Sequence, residues 1–153
     1  MANTYTQIHI HAVFAVRNRL ALITPSLKEG LKKYIAGITR NHNHKLLIIN
    51  GVADHIHMLF GMRPDESISE FMKSVKASSS KWINQNRLTS RKFFWQEGFG
   101  AFSHSMSELP RVIRYIENQE VHHHKKPFLQ EYEELLDEHK IEYDQRFVFK
   151  PVS

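Results

Sequence analysis

The chain contains no cysteine among its 153 residues, so disulfide bonds, thiolate nucleophiles and zinc sites built on sulfur are excluded. No apolar run approaches the roughly 20 residues that a membrane-spanning helix requires. There is no internal repeat or low-complexity tract, and the first residues lack the pattern of a secretory signal peptide. We therefore expect a cytoplasmic protein without a membrane partner.

The composition is that of an ordinary soluble globular protein, with 41% apolar and 24% charged residues. A chain of this length is expected to form one compact domain, so residues 1–153 are assigned to a single domain. The formal charge of +5 and a sequence pI near 9.5 favour polyanionic partners, because basic surface is typical of phosphate binding.

Apolar periodicity divides the first half of the chain into strands and helices. Alternating residues predict a strand over 4–16, and Thr24 followed by Pro25 predicts the start of a helix. Residues 46–50 predict a short buried strand. The dipeptide Asn50-Gly51 predicts a turn, after which the next strand begins at once.

The second half begins with Ser67 and Glu70, which have the spacing of a helix capping box. An extended aromatic segment is predicted over 93–102, and Ser107 predicts the start of another helix. An acidic amphipathic segment and an extended tail follow, over residues 128–139 and 141–149. The order strand, helix, strand, strand, helix, strand, helix is that of a ferredoxin-like or RRM-like split βαβ domain. We therefore predict an α+β fold, with an antiparallel sheet, helices on one face and an uncovered opposite face.

Two histidines lie on one face of the third predicted strand. In Asp54-His55-Ile56-His57, the side chains of His55 and His57 point the same way because side chains alternate along a strand. Two neighbouring imidazoles form either a metal site or a polar surface, and His9-Ile10-His11 has the same spacing. A metal site needs a further ligand, and zinc or nickel is favoured by ligand type alone.

One tyrosine stands apart from the predicted core. Tyr34 and Tyr132 lie on apolar helical stripes, whereas Tyr115 flanks the stripe of its helix. Gln119 is four residues further on, so the phenol and the carboxamide are neighbours on one flank of the helix. Beside a histidine pair, this arrangement suggests a nucleophile and a metal ligand delivered together.

These motifs occur in the order seen in a known family. The strand with His55-Ile56-His57 after Asp54, the helix segment Val75–Ile83, the segment Phe94–Phe99 (FWQEGF) and the helix segment Tyr115–Gln119 (YIENQ) closely resemble those of HUH single-tyrosine transposases. These enzymes belong to small bacterial insertion sequences, the insertion sequence 200/605 family. The resemblance runs from about residue 5 to residue 119.

The resemblance implies a bacterial DNA transposase that cleaves and rejoins single-stranded DNA at the hairpin ends of a mobile element through a 5′-phosphotyrosine intermediate. It makes Tyr115 the nucleophile and His55, His57 and Gln119 the ligands of a divalent metal, Mg²⁺ or Mn²⁺. It also implies a homodimer whose active sites are composed in trans, with Tyr115 of one chain serving the histidines of the other. Candidate DNA-binding residues are Lys73, Lys76, Ser79, Lys81, Trp95 and Arg111.

Three alternatives remain open at this point. They are a tyrosine nickase acting on chromosomal repeat hairpins, a non-catalytic RRM-like module that binds RNA or single-stranded DNA, and a histidine phosphoesterase that does not use tyrosine.

The domain divides into a core over about 4–124 and a C-terminal extension over about 125–153. The run His122–His124 is interpreted as a solvated helix end. Apolar residues in the extension predict packing against its own domain or a partner subunit.

Overall fold

The computed structural model describes residues 4–121 and 126–144. The elements in chain order are β1 (His9–Ala15), α1 (Pro25–Asn41), β2 (Lys45–Val52), β3 (His55–Gly61), α2 (Ile68–Gln85), β4 (Gly100–His104), α3 (Leu109–Glu117) and α4 (Phe128–Glu138). All neighbouring strands are antiparallel, and the sheet has the order β2-β3-β1-β4. The predicted α+β ferredoxin-like class and element order are therefore confirmed. No helix in the described ranges combines the length and the apolar character needed to cross a membrane.

One face of the sheet packs against α1 and α2. Alternate residues of the two central strands, among them Phe14 and Ile56, form a single core with the apolar stripes of these helices. The helix starts follow the predicted caps, because the Thr24 hydroxyl accepts the backbone N–H of Leu27 and the Ser67 hydroxyl accepts that of Glu70.

The opposite face of the sheet is covered as well, so the prediction of an uncovered face is wrong. Helix α3 packs Leu109, Val112 and Ile116 against Leu59 of β3. Helix α4 packs on the other half of this face and forms a second cluster, which contains Val13, Ala15, Phe102, Phe128, Tyr132 and Leu136. The reason is chemical, because the central strands carry apolar residues on both faces and each face must be buried.

Several predicted boundaries move. The first strand begins at His9, and the turn before β3 lies at Ala53-Asp54, because Asn50 and Gly51 still pair with β3. A side chain at Gly51 would clash with the backbone oxygen of His55, so glycine serves close strand approach here instead of a turn. Ser105 forms a capping box with Glu108 and starts the 3₁₀ turn Met106–Glu108, which leads directly into α3.

The predicted extended segment over 93–102 is a regular strand only from Gly100 onward. The acidic segment of the C-terminal extension is the helix α4. Residues 141–144 follow it without regular structure, and the predicted tail over 145–149 and the run His122–His124 lie outside the described residues.

Candidate active site between the sheet and the last two helices

The predicted histidine pair lies in the centre of the sheet. His55 pairs with Ala15 of β1, and His57 pairs with Val13, so small or branched neighbours leave room for the two rings. The rings are buried, with 1% and 0% of each residue exposed. Both rings direct their Nε2 atoms toward the space beneath α3 and α4.

Each ring is oriented by a residue behind it. The Nδ1 atom of His55 lies 2.8 Å from a carboxylate oxygen of Asp54. The Nδ1 atom of His57 lies 2.7 Å from Nε2 of His11, and the two imidazoles stack with centroids 5.0 Å apart. Burial, together with His57 and His104, holds the pKa of His11 well below its usual value, so His11 is neutral at pH 7. Partners of this kind fix the tautomer and orientation of a ligand histidine.

Helix α3 delivers the tyrosine and the glutamine. The side chain of Asn50 on β2 donates to the backbone oxygens of Ile116 and Glu117, which holds the end of α3 over the sheet. The helix ends there, and Gln119 starts a further helical stretch over residues 119–121. Its amide oxygen lies 3.2 Å from Nε2 of His55, and the Tyr115 ring lies 5.7 Å from the His57 ring, edge to face. The structure thus brings together all four predicted catalytic and metal-binding residues.

A fifth residue, Glu131 of α4, enters the same site. One carboxylate oxygen lies 3.2 Å from Nε2 of His57 and 3.3 Å from Nε2 of His55. The other oxygen accepts a hydrogen bond of 2.5 Å from the Tyr115 hydroxyl. Sequence reasoning missed Glu131, although a signal was present. It lies three residues after Phe128 and four before Leu135, so it is an acidic residue on the apolar stripe of its helix.

The facing atoms of the site fit a metal cation. Because the Asp54 carboxylate accepts from Nδ1 of His55, the Nε2 atom presents a lone pair to the oxygens of Gln119 and Glu131. Three acceptors converge only around positive charge, which is either a second proton or a metal ion. Two imidazole nitrogens, an amide oxygen and a carboxylate oxygen are suitable ligands for a divalent metal.

The close contacts among the site residues also shift their pKa values. Burial lowers the pKa of His55, but the hydrogen bonds to Asp54 and Glu131 outweigh burial and raise it above its usual value. Burial also favours a higher pKa for Glu131, whereas the hydrogen bonds from His55 and His57 hold it far below its usual range. Burial and the Glu131 carboxylate raise the pKa of Tyr115 well above its usual value. The phenol therefore stays protonated while Glu131 occupies this position.

Helix α4 closes the site. The ring of Phe128 stacks on His55 with centroids 4.0 Å apart and an interplanar angle of 24°. Together with Glu131 it leaves the histidines without access from outside. Tyr115 and Gln119 belong to the same chain as the histidines they contact, so the site of this single chain is composed in cis. The predicted trans arrangement concerns a dimer and stays a prediction.

A second group of two histidines and a glutamate lies at the far end of β2. Nδ1 of His44 accepts the backbone N–H of Arg63, so its Nε2 carries the proton and donates to Glu66 at 2.7 Å. His42 lies 3.0 Å from the same carboxylate. Hydrogen bonding satisfies this group, and no lone pair of His44 is left for a metal. His9, at the start of β1, belongs to neither group.

The predicted DNA-binding residues do not form one surface. Trp95 and Ser79 are buried and bonded to each other, since the indole N–H donates to the serine hydroxyl at 2.9 Å. Against the sequence-based prediction, neither is available to DNA. Lys76 donates to the backbone oxygens of Gln96 and Gly98. The other three candidates are exposed, and they are Lys73, Lys81 and Arg111.

The exposed candidates also lie on different sides of the sheet. Lys73 and Lys81 belong to α2, which packs on the face opposite the histidine pair. Arg111 belongs to α3 and forms an ion pair of 3.2 Å with Glu108. The serine-rich helix α2 therefore does not line the candidate active site.

Comparison with known proteins agrees with this geometry. The family described as "Transposase IS200 like" matches residues 4–119. The ISDra2 transposase TnpA of Deinococcus radiodurans is 21% identical over 118 residues, which are 74% of this chain and 84% of that protein.

Two solved structures have a similar fold. A candidate transposase from Deinococcus radiodurans R1 has a TM-score of 0.60 and 21% identity, over 78% of this chain and 95% of that one. The REP-associated tyrosine transposase bound to a REP hairpin has a TM-score of 0.61 and 15% identity, over 80% and 73%. The family match covers most of the chain and every residue of the histidine–tyrosine–glutamine site, and so the chain belongs to the IS200-like transposase family.

Proposed function

We propose that this DNA transposase cleaves and rejoins single-stranded DNA at the hairpin ends of a mobile element, with Tyr115 as the nucleophile. One observation carries the proposal. The Tyr115 hydroxyl and both His Nε2 atoms contact the two oxygens of a single carboxylate, that of Glu131. The site thus holds an anionic group with two oxygens between the phenol and the imidazoles, which is the position that a scissile phosphate needs for attack by the phenol.

The proposed step balances without a nucleotide cofactor. The Tyr115 oxygen attacks the phosphorus atom, the bond from phosphorus to the 3′ oxygen breaks, and a 5′-phosphotyrosine link forms. The phenol loses its proton, and the departing 3′ oxygen takes one up to become a free hydroxyl. Attack by the 3′ hydroxyl of another strand on the phosphotyrosine reverses these changes and rejoins the DNA. The energy of the phosphodiester bond is conserved in the link.

His55, His57 and Gln119 would hold the proposed divalent metal, and phosphate oxygens of the DNA would take the place of the Glu131 carboxylate. When bound, such an ion supplies Lewis-acid stabilisation to the phosphate. Histidine ligands alone favour zinc or nickel, but the amide oxygen of Gln119 and the oxygens of the DNA phosphate add hard donors that suit Mg²⁺ or Mn²⁺. We therefore keep Mg²⁺ or Mn²⁺ as the proposed cofactor. Asp54 and His11 hold the two imidazoles in the orientation that directs Nε2 inward.

The C-terminal extension has a proposed role of its own. With α4 in its present position, Phe128 and Glu131 fill the space that DNA must enter. Substrate binding therefore requires that α4 move away from the sheet. Movement of Glu131 also removes the carboxylate that raises the pKa of Tyr115, so opening of the site and activation of the nucleophile are coupled.

The assembly is proposed to be a homodimer, in keeping with the family resemblance. Exchange of α3 between two subunits would place Tyr115 and Gln119 of one chain beside the histidines of the other. The contacts that hold α3 on its own sheet include apolar side chains, the Tyr115 ring on His57 and the Asn50 cap, and the same contacts would be available to a partner's α3.

A covalent adduct tests the proposed function. Single strands carrying hairpins from the genomic flanks of the gene are labelled and incubated with the protein and Mg²⁺ or Mn²⁺. We expect a labelled protein band that resists denaturation and disappears with a chelator. A non-catalytic module or a phosphoesterase without a tyrosine intermediate would form no adduct. Cleavage of dispersed chromosomal repeat hairpins, with no cleavage of mobile-element ends, would instead identify a tyrosine nickase; the REP-associated relative is itself bound to a REP hairpin.

A further inference from the structure

A basic cavity of about 410 Å³ opens beyond the end of β1. Val16 is one of its apolar lining residues, and the side chains that give it chemical character are Arg17, Arg91, Lys92 and Phe94. All four of these side chains are exposed, and none of the described residues that line the cavity is acidic. The cavity therefore attracts anions, and none of the histidine, tyrosine and glutamine residues of the candidate active site lines it.

The cations are arranged around an aromatic ring. The guanidinium carbon of Arg17 lies 4.2 Å from the centre of the Phe94 ring, and the ammonium nitrogen of Lys92 lies 5.2 Å from it. Phe94 is 38% exposed, which is unusual for so large an apolar residue. An accessible ring beside several cations is the combination with which proteins bind single-stranded nucleic acid, because bases stack on the ring and phosphates pair with the cations.

The cavity is preformed by backbone hydrogen bonds. The N–H of Arg17 donates to the backbone oxygen of Phe94 at 2.9 Å, and the N–H of Gln96 donates to the oxygen of Ala15 at 2.7 Å. The side chain of Gln96 accepts the N–H of Asn18 at 3.2 Å. The two segments that carry the cations and the ring are thus held together before any ligand arrives, which reduces the entropy lost on binding.

The cavity is also next to the candidate active site. The N–H of Val16 donates to the backbone oxygen of Asp54 at 2.8 Å, and Asp54 contacts the His55 ring. Ala15 is the strand partner of His55. From strand spacings, the backbone of Arg17 lies on the order of 10 Å from that of His55. A short stretch of single strand spans this distance.

We propose that this cavity binds a nucleotide of the DNA strand adjoining the scissile phosphate. The base stacks against Phe94 beside the Arg17 guanidinium, and Arg91 and Lys92 pair with the flanking phosphates. The cavity then positions the strand so that the scissile phosphate reaches Tyr115. This assignment rests on the proposed single-strand function, and it places DNA contacts on loops beside the site instead of on α2.

Binding of a short labelled oligothymidylate to the Tyr115→Phe protein measures the contact apart from cleavage. Phe94→Leu should weaken binding about tenfold, because one base–aromatic stack is lost. Phe94→Tyr keeps the ring and should bind like the parent. Arg91→Gln and Lys92→Gln should each reduce the slope of log affinity against log salt by about 0.7. Lys33→Gln removes an equal charge from the exposed side of α1 and should leave the slope unchanged.

A Phe94→Leu protein that unfolds at the parent's temperature and binds as tightly as the parent would overturn the assignment, as would a parent that does not bind the probe. Adduct formation by the protein with Tyr115 intact reports separately on the proposed function. If the adduct forms and Phe94→Leu binds DNA as tightly as the parent, only the assignment of the cavity to DNA binding is rejected. If Phe94→Leu weakens binding and no adduct forms, the cavity assignment is supported and the transposition chemistry is rejected. In a strand that forms the adduct, a photoreactive base should crosslink to the cavity only from positions next to the phosphotyrosine link. Crosslinks from remote positions alone would contradict the placement.

Discussion

The hydroxyl of Tyr115 donates a hydrogen bond of 2.5 Å to the carboxylate of Glu131, across the gap between α3 and α4. The same carboxylate contacts both histidines of the site, so one side chain of the C-terminal helix ties the proposed nucleophile to the proposed metal ligands. These contacts of Glu131 therefore both hold the site residues together and close the site to the outside. Its chemistry and its accessibility can be tested separately.

Tyr115→Phe should abolish the covalent adduct and DNA cleavage, because the only group lost is the attacking hydroxyl. Folding should be preserved, since the ring keeps its contacts with the sheet. The matched control is Tyr34→Phe, whose ring stacks on Trp82 away from the site and which should retain full activity. A Tyr115→Phe protein that still forms a denaturant-resistant adduct would show that another residue is the nucleophile.

Removal of metal ligands should lower metal affinity as well as activity. His55→Ala and His57→Ala should each abolish cleavage and reduce Mn²⁺ binding measured by calorimetry, and Gln119→Ala should raise the metal concentration that cleavage needs. His11→Ala should have an intermediate effect, because His11 orients His57, whereas His9→Ala should be nearly neutral. Cleavage that persists in a chelator would rule out the metal site.

Loosening α4 should open the site without altering any residue in it. A Cβ atom at position 100 would lie 2.6 Å from the Tyr132 ring, so Gly100→Ala should displace α4. We expect faster amide hydrogen exchange in α4 and a higher initial rate of adduct formation. Gly37→Ala is the control, because open space surrounds that position, and it should stabilise α1 by about 0.5–1 kcal/mol. Faster exchange without faster adduct formation would show that α4 does not limit access.

Stability should fall in acid through Glu66, remote from the site. Burial favours a higher pKa, but hydrogen bonds from His44 and His42 hold the pKa of Glu66 below its usual value of 4.5. A depressed folded-state pKa stabilises the protein above the unfolded value, and this contribution is lost as the pH falls from about 4.5 downward. Glu66→Gln should flatten the dependence of the unfolding free energy on pH in this range. Glu29→Gln, an exposed control on α1, should leave it unchanged, and an equal slope in the Glu66→Gln protein would contradict the assignment.

Mixing two inactive proteins decides between sites composed in cis and in trans. A Tyr115→Phe protein and a His55→Ala protein are allowed to exchange subunits. If sites are composed in trans, each mixed dimer contains one wild-type site, and adduct formation returns. If each site stays within one chain, as in the single chain described, every site keeps one defect. An inactive mixture despite demonstrated exchange, or a monomer at micromolar concentration, would reject the trans dimer.

Local signals predicted much of this molecule. The order of elements, the caps at Thr24 and Ser67 and the shared face of His55 and His57 follow from short-range rules of strand alternation and helix capping. The neighbourhood of Tyr115 and Gln119 follows from helical spacing in the same way. Burial was predicted less well, because Trp95 and Ser79 suit a DNA surface as well as a core until their tertiary contacts are known.

The sequence by itself indicated the fold class through local patterns, and its resemblance to the family indicated four residues of the candidate site. Only the tertiary structure decided that His11 supports His57 from 46 residues away and that Glu131 reaches the same histidine from 74 residues away. It also decided that α4 closes the face that the sequence left open. Such contacts depend on which apolar surfaces pack together across the whole chain, and no local pattern contains that information.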